Sequence, residues 1–159
     1  MKTSNRLPMS SGDVHAFAEV CRRRGEVVVF TNGVFDLLHP GHVRYLREAR
    51  ALGDVLVVGV NSDRSVRALK GPERPLTPEA ERAEILLSLA AVDAVVIFDQ
   101  PTPLALITLV QPDVLVKGAD WQEKDIVGKD VVEERGGRVV RVMFSPGHST
   151  TDLIHRARK

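Results

Sequence analysis

Cysteine is almost missing: Cys21 stands alone among 159 residues. No disulfide can close within the chain and a cysteine-based metal site is ruled out in practice, both of which suit a reducing compartment. An excess of one charge is missing too. The 22 lysines and arginines face 21 aspartates and glutamates, for a net charge of +1. That balance argues against a nucleic-acid partner, which normally shows as a strong basic surplus, although a local basic patch stays open. No apolar run nears the roughly 20 residues of a membrane span. The opening "MKTSNRLPMSSGD" lacks the apolar core of a signal peptide. There is no internal repeat, low-complexity tract or dividing linker. These absences predict one cytoplasmic domain over residues 1–159, with no membrane and no nucleic acid as partner. At 43% hydrophobic and 27% charged residues, the chain is long enough to bury a core.

What is present alternates. Apolar and β-branched runs at 26–31, 54–61, 94–98, 113–118 and 138–144 read as five strands, the first two of them buried. Helical spacing appears at 42–53, 77–92, 102–111, 127–137 and 149–159, with a leading helix at about 11–25 and the core at about 26–159. Gly53 is expected to stop the second helix, and Thr77 to cap the third ahead of Pro78. Strand–helix alternation predicts an α/β fold, a Rossmann-like, doubly wound parallel five-stranded sheet flanked by helices, with right-handed crossovers. Residues 61–76, "NSDRSVRALKGPERPL", form the longest irregular stretch. Lying after the second strand, they make a candidate lid at the end of the sheet where ligands bind.

The stretch "TNGVFDLLHPGHVRYL" (31–46) carries the chemistry. The first strand ends near Thr31, Asn32 and Gly33 begin a turn, and a helix starts near Pro40 or Gly41. His39 and His42 lie three apart at that start and can face one side. Free backbone N–H groups of the first turn favour an anion, and Gly41 permits close approach of a ligand or backbone. Two imidazoles over a helix N-terminus suit a phosphate. A metal fits less well, because no third ligand is obvious nearby.

"GVFDLLHPGH" resembles the HxGH signature of the nucleotidyltransferase superfamily. Further segments agree: "RPLTPEAERAEIL", "VIFDQPTP", "QPDVLVKGADW" and "HSTTDLI". Together they resemble the D-glycero-β-D-manno-heptose 1-phosphate adenylyltransferase family from about residue 9 onward. The family often carries this domain behind a sugar kinase; this chain resembles the stand-alone form. Two positions depart from the pattern: Val34, where cysteine is frequent, and His148, where tyrosine is common.

The resemblance implies a reaction. A sugar phosphate oxygen attacks the α-phosphorus of ATP in line and pyrophosphate leaves, giving ADP-heptose. His39, His42 and Lys70 would be catalytic, Lys70 bridging the sugar phosphate and the α-phosphate. Thr31, Asn32, Gly33, Val34, Phe35 and Gly41 would line the nucleotide. Lys117, Gly118, Asp120 and Trp121 would hold the nucleoside, although Trp121 could equally be a packing residue. Ser149, Thr150 and Thr151 would take the outer phosphates and cap the last helix. Asp36 and Arg82 would shape the loop or touch substrate. Mg²⁺ would ride on the ATP phosphates, with no metal ligand from the protein. ATP and a sugar 1-phosphate are the implied partners, with a homodimer allowed. Two alternatives stay open: a related cytidylyltransferase of the glycerol-3-phosphate type, and a non-catalytic nucleotide-binding module of the same fold.

Overall fold

The computed structural model describes residues 6–159. At its centre runs β1 (Val28–Gly33), flanked by β2 (Val55–Asn61) and β4 (Val114–Gly118). The edges are β3 (Ala94–Phe98) and β5 (Arg138–Val142), giving the order β3-β2-β1-β4-β5 with every pairing parallel. The expected doubly wound parallel sheet is what forms. Val28, Val29 and Phe30 are buried because both faces of the sheet are covered.

One face is covered by α2 (Pro40–Arg50) and α4 (Glu79–Ser88), which bring Leu46, Ala49, Ala83 and Leu86 onto Val29, Leu56 and Val58. The other is covered by α1 (Ser11–Arg23), α5 (Leu104–Val110) and α6 (Lys129–Glu134), through Val14, Ala18, Ile107 and Val132 on Val28, Phe30 and Leu115. A short α3 (Asp63–Lys70) follows β2, and α7 (Thr150–Ala157) closes the chain. No helix of the described residues is long and apolar enough to cross a membrane.

Several local expectations are corrected. Half of the stretch expected to be irregular is α3, capped by the Ser62 hydroxyl, which accepts from the Ser65 N–H. Lys70 is therefore the last residue of a helix, and Gly71, at φ 97°, ends it. α2 stops at Arg50 with Ala51 as its C-cap; Gly53 is needed for another reason, since a Cβ there would lie 2.6 Å from Val29 Cγ2 and 2.7 Å from the Val27 carbonyl. Pro78, not Thr77, occupies the N-cap of α4, and no side chain caps it. Asn32 and Gly33 complete β1 instead of starting the turn. β5 ends at Val142, leaving Met143 and Phe144 beyond it.

Candidate active site

The order in which strands are added to the sheet reverses between β1 and β4, and ligands of such sheets bind where two neighbouring strands feed crossovers to opposite faces. The two strands pair only at Val29–Val114 and Phe30–Leu115. Beyond that point side chains bridge the gap. The Thr31 hydroxyl donates to the Val116 carbonyl at 2.9 Å and meets the Tyr45 hydroxyl at 2.8 Å. The Lys117 ammonium donates to Asn32 Oδ1 at 2.6 Å. Above this split opens a cleft of about 540 Å³.

His39 and His42 form one wall. His39 is the N-cap of α2, and the two residues cap one another: the His42 N–H donates to His39 Nδ1 at 3.4 Å, and the His39 N–H to His42 Nδ1 at 3.3 Å. Both Nδ1 atoms are thus acceptors, which leaves the proton of each neutral ring on Nε2, a donor free for a ligand. The rings stack with centroids 3.8 Å apart. Gly41 runs beneath them. A Cβ there would lie 2.8 Å from His39 Cε1 and 3.1 Å from His148 Cβ, so the glycine makes room for imidazole side chains, where the sequence suggested a ligand or another backbone. Burial pushes both rings below the ordinary histidine range, aided by His148 at His39 and by His39 at His42, where the value falls to about 4. Both are neutral at pH 7.

Asn32, Gly33, Val34 and Phe35 line the floor, and Phe35 holds a positive φ of 50° with its ring tilted against His42. Thr31 does not line the cleft: it is fully buried and its hydroxyl is spent on the strand split. Lys117, Gly118, Asp120 and Trp121 line the β4 side. Burial pushes the Lys117 ammonium down to about 8 against the opposing pull of Asp120. Its Nζ lies 5.4 Å from the centroid of the Trp121 ring, which is 47% exposed and so is not a core packing residue. A Cβ on Gly118 would run into the Phe144 ring and the Asp120 carboxylate. Ser149, Thr150 and Thr151 line the far wall; Ser149 caps α7 by accepting from the Asp152 N–H at 3.0 Å, and Thr150 Oγ1 donates to the Leu37 carbonyl at 3.2 Å. Exposed Lys70 stands at the rim.

Asp36 and Arg82 do not line the cleft. Asp36, 3% exposed, accepts from Arg74 Nε at 2.7 Å and from the backbone N–H groups of Leu76 and Thr77 at 2.9 Å. Burial works to raise its carboxyl, but those donors outweigh burial and hold it below the usual carboxylate value. Arg82 is fully buried and donates to the carbonyls of Val34 at 2.6 Å and Thr77 at 2.9 Å and to Asp63 at 2.9 Å. Both residues shape the loops behind the cleft; neither has a free face toward a ligand.

The sequence did not single out Tyr45, Arg74 or Phe144 as cleft residues, and it noted His148 as a departure placed near the phosphates; all four line the cleft. Tyr45 follows His42 by three helical residues, a usable signal, and stacks on Phe144 with centroids 4.9 Å apart. His148 lies nearly parallel to His39 at 5.9 Å. Nothing local marks Arg74.

Among the described residues no group of three or more His, Cys, Asp or Glu side chains is placed to hold a metal ion. Asp120 is the one carboxylate on the cleft lining, a donor set suited to a cation that arrives already bound to phosphates.

Comparison with known proteins adds a family. Residues 30–156 match the Cytidylyltransferase-like family. The bifunctional protein HldE of Syntrophotalea carbinolica is 59% identical over 138 residues, 87% of this chain and 28% of that protein. HldE of Geotalea uraniireducens is 59% identical over 143 residues, 90% of this chain and 29% of the relative. The chain thus spans less than a third of the length of these curated relatives. Among solved structures, the lipopolysaccharide core biosynthesis protein of Thermoplasma volcanium GSS1 is 31% identical with a TM-score of 0.64, over 76% of this chain and 98% of that one.

Proposed function

The chain belongs to the cytidylyltransferase-like family, and from that premise we propose that it is an adenylyltransferase. It transfers AMP from ATP to D-glycero-β-D-manno-heptose 1-phosphate, releasing pyrophosphate and forming ADP-heptose. One observation carries the reading: two neutral imidazoles, locked by reciprocal caps, each leave an Nε2–H free at the mouth of a cleft that a helix N-terminus faces. The 59% identity to HldE proteins and the solved relative's title, which names lipopolysaccharide core biosynthesis, favour the heptose substrate over glycerol phosphate.

The chemistry needs little from the protein beyond placement and charge. A phosphate monoester is largely ionised near neutral pH, so its oxygen attacks the α-phosphorus without a strong base. The new P–O bond forms as the bond to the bridging oxygen breaks, and the electron pair leaves with pyrophosphate. His39 and His42 donate to phosphate oxygens on which charge grows. Lys70 holds the acceptor phosphate against the α-phosphate. The N–H groups at the start of α7 and the hydroxyls of Ser149 and Thr151 take the outer phosphates, while the Thr150 hydroxyl stays on the Leu37 carbonyl. Lys117, Asp120 and Trp121 hold the nucleoside. Mg²⁺ bound to the phosphates would neutralise part of their charge. A cytoplasmic location belongs to the same reading.

The test is pyrophosphate release across a panel of nucleotides and phosphates. ATP with the heptose 1-phosphate and Mg²⁺ should give turnover, and neither substrate alone should. Far better turnover of CTP with glycerol 3-phosphate would move the protein to the cytidylyl branch. No turnover with any pair would leave a nucleotide-binding module.

A further inference from the structure

A second hollow of about 440 Å³ lies against the cleft, between the segment after α3 and the outer face of α7, and the two share Lys70, Arg74 and Thr151. Its lining differs in kind from that of the cleft. Leu76, 49% exposed, and half-buried Ile154 form an apolar floor. Around it stand Glu73, His155 and Arg158. Arg158 and Glu73 reach across the hollow to within 3.7 Å, with side chains 67% and 82% exposed. A pair so open to water contributes little to stability, so a ligand can part it at small cost.

We propose that this hollow receives the body of the acceptor, a polyhydroxylated phosphate monoester, and that Glu73 and Arg158 read its hydroxyl groups. The inference rests on the transferase reading and deepens it. ATP is provided for within the cleft, by the Lys117–Trp121 side for the nucleoside and by the imidazoles and the α7 N-terminus for the phosphates. The acceptor must present its phosphate to the same α-phosphate, and the shared Lys70 and Arg74 offer cations at that border. A sugar extending outward from them meets an apolar floor for its carbon face. It also meets a carboxylate and a guanidinium that accept from and donate to hydroxyls. Glycerol phosphate, with three carbons and two free hydroxyls, would leave most of a hollow of about 440 Å³ unfilled. The hollow is therefore a size gauge for the acceptor.

Arg158→Gln and Glu73→Gln test this, since both side chains are exposed and their loss should not disturb folding. The expected result is a five- to tenfold rise in KM for the heptose 1-phosphate, with KM for ATP within twofold and glycerol 3-phosphate, where it is used at all, unaffected. Arg158→Lys should recover part of the loss. Calorimetric titration of the heptose 1-phosphate into the full chain saturated with α,β-methylene-ATP gives a readout that needs no turnover. Binding weakened in both variants supports the hollow even in a chain that proves inactive. Equal binding in wild type and variants, no binding to wild type, or a parallel rise in KM for ATP overturns it. Normal heptose turnover with unaffected variants would remove the hollow and leave the proposed reaction standing.

Discussion

Two helix N-termini face the cleft, and they are built in opposite ways. α2 enters through a reciprocal cap of two imidazoles and is anchored by buried Gly41, Tyr45, Leu46 and Ala49. α7 enters through the small Ser149 cap and has no buried residue at all; Thr150 Oγ1 on the Leu37 carbonyl is its direct tie to the loop before α2. The difference teaches where rigidity is placed. Groups that stabilise a transition state act best when already oriented, because reorienting them costs free energy at the moment of reaction. Groups that hold the leaving pyrophosphate must later release it, and an element with few buried contacts opens at low cost. Under the proposed reaction the imidazole wall is the fixed jaw and α7 the moving one.

The largest effect should come from breaking the fixed jaw. His42→Ala and His39→Ala should each lower turnover on the order of 10² to 10³, the scale of one preorganised donor, with a smaller change in ATP affinity. His39 adds a complication that the sequence did not reveal. As the buried N-cap of α2 it also supports the helix, so His39→Ala should cost about 1 kcal/mol of stability. His39→Ser restores a capping oxygen and not the Nε2 donor. Melting temperature should therefore recover in His39→Ser while turnover does not. Recovery of turnover along with stability would reduce His39 to a structural cap.

That complication shows which features are legible. Four of the five strands could be read because each is a run of mostly β-branched or apolar residues buried on both faces, a pattern contained in five to seven residues; edge strand β5, with Arg138 and Arg141 exposed, showed through its valines alone. The HPGH turn could be read because strand end, histidine spacing and helix start are adjacent. α3 was missed because only Ser65 and Val66 of its eight residues are buried, too little for a hydrophobic period. Thr77 was misread as a cap because α4 begins at Glu79, which leaves Thr77 one residue outside the N-cap, its N–H bonded to Asp36, 41 positions earlier. The Asp36, Arg82 and Lys117 partnerships span tens of residues, and no local pattern announces a hydrogen bond of that range. Hence the placement of the imidazoles was visible in the chain and the scaffold behind them was not.

Behind the fixed jaw stands Asp36, and its removal should separate the two jaws in stability. Asp36→Ala strands Arg74 and two backbone N–H groups, for a cost of about 3 kcal/mol, or a fall in melting temperature of roughly 6–12 °C. The native carboxyl is held low, so the stability it contributes is present above the ordinary carboxylate value and fades as pH drops through the native one. Ser149→Ala removes the α7 cap and should barely move the melting temperature, because α7 opens before the core does. Equal losses in the two variants would mean that α7 is as firmly held as α2 and would end the comparison.

Lys117 offers a finer cut. Its ammonium is desolvated by burial and still mostly charged at pH 7. Lys117→Met should weaken ATP binding about tenfold, in the range of a lost hydrogen bond to a charged group, without lowering the melting temperature. The sign of the pH effect follows from the depressed value. Between about 8 and the ordinary lysine range the unfolded chain holds the proton more tightly, so wild-type stability gains with rising pH and the variant lacks that gain. A melting temperature that falls at pH 7 would make the Asn32 contact a structural strut.

The smallest effect is a fraction of a proton. His42 is depressed to about 4 by burial and by His39, so in the free protein it is neutral where the unfolded chain would be charged. Lowering pH from about 6.5 toward 4 should therefore destabilise the free protein, since the unfolded state takes up the proton first. A bound polyphosphate reverses the local field. Negative charge beside the imidazoles favours their charged form and raises their affinity for protons. ATP binding near pH 5.5 should then draw protons from solution, and near pH 8 it should draw almost none. Calorimetry in buffers of different ionisation enthalpy measures this directly. His42→Gln should lose much of the uptake, which also corrects for titration of ATP itself. Ser149→Ala should keep it, since that jaw contributes a hydroxyl and N–H groups with no proton to gain. Uptake unchanged in His42→Gln would mean that the phosphates do not meet this ring, and the fixed jaw would lose its assigned ligand.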